Sequence, residues 1–266
     1  MHIRLTSYAP GLRHRPHGHD HCTFSMVLAG SVWERVGNHE TNAVPLSIVV
    51  KPTDTVHENR FDNVGATLLQ IALTNEESAK LCADPSAASL PCWRWNTAGQ
   101  GARLFLKLAR AVYERDVEHV ESVAWDTLGA LAMAPVPSGY RHPPAWLEDV
   151  RQILDDDSVV PSLRTLAEAA GVHPVYLARR FRSSYGRSIT GYAHLSRVRR
   201  AAGLVATDKS LARIAVSTGF TDQSHFGRIF RRELGFSPGA YRSFVRRGFD
   251  CSRLGPNGEV SCSGEL

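Results

Sequence analysis

Two sets of side chains in this sequence combine types and spacings that do chemistry. The first is histidine: His14, His17, His19 and His21 fall within eight residues, and His57 follows. Alternate side chains on a strand share a face, so an extended His17-Gly18-His19 directs both rings to one side. The segment Lys51 to His57 then returns His57 across from them. Three imidazoles alone hold zinc, or they line a polar pocket. The expectation adopted is the pocket, with His17, His19 and His57 facing a small-molecule effector and no metal, cofactor or catalytic residue. The second set is Val175, Ala178, Arg179 and Arg182, then Gln223, Ser224, His225, Arg228 and Arg232. Gln pairs bidentately with adenine and Arg with guanine in the major groove. Arginines further along a reader helix meet phosphate instead.

Those side chains need short helices to present them. Ser162 is an N-cap before the apolar stripe Leu163, Leu166, Ala167 and Ala170. Gly171 ends that helix, and Pro174 opens the next without losing a backbone bond. The second helix buries Leu177 and Phe181 and turns Arg179, Arg180 and Arg182 outward. A helix, a glycine turn and a basic helix make a helix-turn-helix. The pattern recurs: Ser210 to Ala215 is a short helix, Gly219-Phe220 the turn, and Thr221 caps a helix over Asp222 to Leu234. Inside it Phe226, Ile229 and Phe230 face inward, while Gln223, Ser224, His225 and Arg228 face out near its start. Between the units, Tyr192, Leu195, Val198, Ala202 and Val205 predict one helix over Ile189 to Ala206. About 24 Å long, it holds the readers apart on one face of DNA, about one turn or 34 Å from each other. Arg197, Arg199 and Arg200 on it read as phosphate contacts or a solvated face, Arg200 as solvated.

The N-terminal part has a different period. Phe24 to Leu28 and Val32 to Val36 read as two strands split by Ala29-Gly30-Ser31, with further strands at Leu46 to Val50 and Thr67 to Leu73. Two amphipathic helices follow, carrying Leu104, Leu108, Ala111 and Val112, then Val123, Leu128, Leu131 and Ala132; they cover the sheet or present a stripe to a second copy. Four prolines and a glycine from Ala134 to Pro144 forbid a continuous helix and mark a linker. The predicted class is therefore α+β with two domains: residues 1–134, a small β-barrel with following helices; 135–145, the linker; 146–247, an all-α domain with two helix-turn-helix units; and 248–266, a disordered tail.

Charge follows that division. Residues 146–247 hold 17 Lys/Arg against 9 Asp/Glu, while residues 1–145 hold 13 against 14. A basic module beside a neutral one implies a grip on a polyanion. Five cysteines without a CxxC pair argue against a zinc or disulfide framework, and a redox role for Cys82 and Cys92 lacks basic neighbours. No apolar run reaches the roughly 20 residues of a membrane span, and Met1-His2-Ile3-Arg4 has no apolar signal core. The expectation is a cytoplasmic chain.

The stretch Ile214 to Tyr241, with Gly219-Phe220, Gln223-Ser224-His225-Phe226, Arg228-Ile229-Phe230 and Gly235-Phe236-Ser237-Pro238, resembles the AraC/XylS family of transcription regulators. The upstream unit from Leu166 to Gly186 resembles that family's first helix-turn-helix. The resemblance implies base contacts from Val175, Ala178, Arg179, Gln223, Ser224, His225 and Arg228. It also implies a cupin-like N-terminal arm, with motifs at His17 to Gly30 and Pro45 to His57. Metal-binding cupin enzymes add a glutamate soon after their HxH, and Cys22 to Met26 contains none. The function implied is a DNA-binding regulator, activator or repressor, and not an enzyme; its partners are double-stranded DNA, a small effector, RNA polymerase and a second copy of itself. The alternative is a cupin-type metalloenzyme with a DNA-binding appendage.

Overall fold

Hydrophobic alternation interrupted by glycine builds the first half. The computed structural model describes residues 1–83, 94–96, 100–114, 116–132, 143–156, 160–247 and 259–261. Its strands and first helices run β1 (His2–Tyr8), β2 (Arg13–His17), β3 (Cys22–Val36), β4 (His39–Ala43), β5 (Ile48–Lys51), β6 (His57–Leu73), α1 (Asn75–Ala83), β7 (Arg94–Asn96), α2 (Gln100–Glu114) and α3 (Val117–Ala132). The helical half follows as α4 (Ala145–Asp156), α5 (Leu163–Ala169), α6 (Pro174–Tyr185), α7 (Ile189–Val205), α8 (Leu211–Ser217), α9 (Gln223–Leu234) and α10 (Pro238–Arg247), and then β8 (Glu259–Ser261). The sheet is antiparallel in order β7-β5-β3-β6-β1-β8, with β2 on β6 and β4 on β3.

The two strands expected over Phe24 to Val36 are one. Its register on β6 slips between Val27 and Ala29 and again between Gly30 and Val32. The first slip leaves Leu28 of β3 unpaired and changes which face its later side chains occupy, whereas at the second the extra residues lie on β6, between Phe61 and Ala66. Thr23 points into the barrel before the bulges, and Val32 and Glu34 do so after them. Phe24, Met26 and Leu28 face the other way, against Phe105 and Leu108 of α2. The expected stripe on α2 thus covers the sheet. The short segment Glu259–Ser261, expected to be disordered with the rest of the tail, pairs with β1 and covers its exposed edge; the remainder of 248–266, most of the proline linker and Cys92 lie outside the described residues.

The cores do not divide at the linker. One cluster runs from Leu5, Phe24 and Leu69 through α2 and α3 to Val198, Ile214, Phe226, Phe230 and Tyr241. The first helix-turn-helix has its own cluster of Leu147, Val150, Leu166, Leu177, Phe181 and Tyr192. The second reader is therefore packed on the barrel, while the first is joined to it through α7. One bond locks that packing. The bulge leaves the Leu28 carbonyl outside the β6 pairing, and the buried Tyr241 hydroxyl donates to it at 2.6 Å. Burial pushes the phenol far above its usual range, so it remains a donor. Tyr241→Phe leaves that carbonyl buried and unpaired, and we expect a loss of about 1–3 kcal/mol, read as a lower thermal midpoint of the full chain. An unchanged midpoint contradicts the lock.

Candidate nucleic-acid interface and barrel pocket

Local chemistry makes the helices of the C-terminal half. Ser162 Oγ accepts from the Thr165 amide at 3.1 Å, Ser188 Oγ from the Gly191 amide at 3.1 Å and Ser210 Oγ from the Arg213 amide at 3.2 Å. Gly171 and Gly219 turn the chain at φ +65° and +85°. Pro174 opens α6, where the His173 ring accepts from the Val175 amide at 3.3 Å in place of a hydroxyl cap. At α9 the cap differs from expectation. Asp222 Oδ1, not Thr221, accepts from the His225 amide at 2.7 Å, since a carboxylate serves the positive end of a helix better than a hydroxyl. Thr221 Oγ1 instead meets His225 Nδ1 at 2.8 Å, so that ring is held in the cap.

Most of the expected reading residues are exposed. Val175 is 52% exposed, and Arg179, Arg182, Gln223, Ser224, Arg228 and Arg232 are exposed as well, while Ala178 and His225 are half-buried. The acids beside Arg228 are engaged elsewhere: Asp222 caps the helix, and Glu233 binds Arg187 at 2.9 Å and Arg232 at 2.8 Å. Sequence reasoning missed Tyr176, 53% exposed on α6 beside Val175; it adds a hydroxyl to a reader otherwise poor in hydrogen-bonding groups.

Arg199 and Arg200 are not a solvated face. Arg199 is 7% exposed, near Tyr192 and Asp155. Arg200 Nη1 donates to the carbonyls of Asp155 and Asp156 at 3.0 and 2.8 Å, which satisfies the C-terminal end of α4. Their work is to hold α4 on α7. The cationic surface also extends beyond the helical module. A groove between α2 and α9 is lined by Arg103, Lys107, Arg110, Arg187 and Arg232, with Glu233 the acid among them, paired with the last two. The arm's near-zero net charge concealed the three basic residues that α2 places on one face.

In the barrel, β2 sets His17 directly across from His57 on β6. His19 lies beyond the end of β2, contrary to the expected shared strand face; its carbonyl is held by the Asp54 amide at 2.7 Å. The rings still converge, with His17 4.4 Å from His57 and 5.0 Å from His19 between centroids. These three are the residues able to hold a metal ion among the described ones. Deeper in, the fully buried Glu34 takes Lys51 at 2.6 Å and Asn59 at 2.9 Å.

Burial lowers His57 to about 4, with the Lys51 charge adding to it. Burial, then His17 and Lys51, lower His19 to about 4. Both are neutral in the folded chain near pH 7. Between about 6.5 and 4 the unfolded chain takes up protons that the folded one refuses, so stability falls as pH drops through that window. In chelator-treated protein the urea midpoint should decline from pH 6.5 to 4.5, and by less in a His19→Gln/His57→Gln double variant. Equal declines would refute the assignment.

Comparison with known proteins agrees with both halves. The family described as "AraC-like ligand binding domain" matches residues 2–127, and the "Helix-turn-helix domain" family matches residues 166–243. "HTH-type transcriptional regulator MtrA" of Neisseria gonorrhoeae is 31% identical over 94 residues, 35% of this chain and 31% of its own length. "Regulatory protein SoxS" of Escherichia coli K12 is 31% identical over 100 residues, 37% of this chain and 87% of its own. Among solved structures, ToxT of Vibrio cholerae is 11% identical, covering 92% of this chain and 96% of that one at a TM-score of 0.38. The chain thus spans about a third of the length of MtrA but nearly all of SoxS. With two capped helix-turn-helix units where the helix-turn-helix family matches, a barrel where the ligand-binding family matches, and a relative matched over most of its length, this chain belongs to the AraC/XylS family of transcription regulators.

Proposed function

We propose that the chain is a sequence-specific regulator that binds double-stranded DNA through α6 and α9 and responds to a small effector in its barrel. One observation carries this reading: two helices, each opened by a side-chain cap, present exposed Arg179 and Arg182, and Gln223, Ser224 and Arg228, at positions suited to a groove. Residues 146–247 do the binding, and residues 1–134 hold the effector site and the contact with a second copy. RNA polymerase is the protein partner, the compartment is the cytoplasm, and the chain has no catalytic role. No helix among the described residues is long and apolar enough to cross a membrane.

Because the second reader shares its core with the barrel, the test uses the full chain. Selection from a random DNA pool should enrich one motif, with affinity falling steeply as salt rises, since neutralised phosphates release counterions. A pool that stays random, or an affinity indifferent to salt, refutes the reading.

A further inference from the structure

We infer that the barrel pocket is a transition-metal site, in which His17, His19 and His57 bind one divalent ion of the zinc type and leave one coordination position open. The ligand atoms of the three residues all lie within 4.8 Å of one another. Three nitrogens on a tetrahedral zinc stand about 3.4 Å apart, as bonds of about 2.0–2.1 Å require. Small side-chain rotations close that difference.

The tautomers are set for this task. His17 Nδ1 lies 2.8 Å from the Arg15 carbonyl, and His57 Nδ1 lies 2.9 Å from the Thr55 carbonyl. A carbonyl only accepts, so each Nδ1 carries the proton and each Nε2 keeps its lone pair. Backbone carbonyls on the far nitrogen commonly orient histidine ligands in this way. His57 is 2% exposed, and its Nε2 has no hydrogen-bond partner among the described residues. Leaving a buried acceptor unsatisfied is costly, and an ion removes that cost. The loop bearing His19 is fastened to the turn before β6 through the Asp54 amide. The Lys51 ammonium, which lines the same pocket, is paired with Glu34 at 2.6 Å.

Size decides between an ion and an organic effector. The cavity holds about 120 Å³, against roughly 300–1,000 Å³ for pockets that enclose drug-sized ligands. It admits an ion with water or a small anion in the fourth position. The inference deepens the sensing role proposed above and rests on it only for what the ion would regulate; the site itself is tested without DNA.

Full-length chain stripped with chelator and titrated with cobalt(II) should reach one ion per chain, show the intense visible band of tetrahedral coordination, and lose it to zinc. His57→Ala should abolish the band. His19→Ala, in a loop where folding is spared, should weaken binding more than about tenfold. His21→Ala should bind as wild type. No band, a band that survives both His17→Ala and His19→Ala, or one lost equally in His21→Ala overturns the site. DNA selection with the same protein separates the two ideas: a chain that selects a motif but takes no cobalt refutes the metal site alone, and one that binds cobalt but selects nothing refutes the regulator reading alone.

Discussion

Arg228→Ala should leave the thermal midpoint of the full chain unchanged and lower its preference for the selected DNA by about 1–3 kcal/mol, with discrimination lost at one base pair. Arg228 is exposed on the second turn of α9, on the outward face. Asp222 and Glu233, its potential partners within the helix, are committed to the cap and to Arg187 and Arg232. Truncation therefore removes no stabilising pair, and alanine is at least as good a helix former. Arg232 supplies the contrast. Already beside Glu233 and far along the helix, it should act on phosphate, so Arg232→Ala should weaken all sequences alike and reduce the salt slope by about one unit. Glu233 keeps Arg187, which limits the stability change. An Arg228→Ala protein that retains full base preference sinks the assignment, as would one that simply melts earlier.

Gly30→Ala should prevent the barrel from closing as it does now, at a cost above about 3 kcal/mol. A Cβ at position 30 would stand 1.8 Å from the Gly65 carbonyl oxygen and 2.8 Å from the Ala66 Cα, both backbone atoms without freedom to yield. The left-handed φ of +71° adds strain of about 1–3 kcal/mol to that overlap. Gly171→Ala is the control: its φ is +65°, but nothing lies within 4 Å of the added carbon. Only the backbone strain applies there. Urea unfolding of both variants separates overlap from strain, and equal midpoints would show that the approach of β3 to β6 is looser than described.

The readers were legible because their signals are local. A serine three residues before the amide it caps, a glycine where φ must be positive, and a proline at the first position act within a few residues of chain, whatever surrounds them. Ser162, Gly171, Pro174, Ser210 and Gly219 therefore marked both units correctly. The family's motif residues reinforced them, and the pairing of His17 with His57 followed from the return of the chain, although the strand face expected to carry His19 with His17 ends before it. Alternation failed at β3, where the extra residue at Leu28 reverses which side chains face the barrel and brings Glu34 inside. A period of two cannot reveal where it is broken; that depends on how closely Gly30 and Gly65 let the neighbouring strands approach. Net charge likewise hid the basic face of α2, because a sum discards position. Arg200 looked solvated, and Arg199 was open between phosphate and solvent, for want of any local sign of α4, whose end Arg200 holds. Only the tertiary structure could place Tyr241 on the Leu28 carbonyl, because a partner 213 residues away is chosen by packing and by the need to satisfy a buried carbonyl.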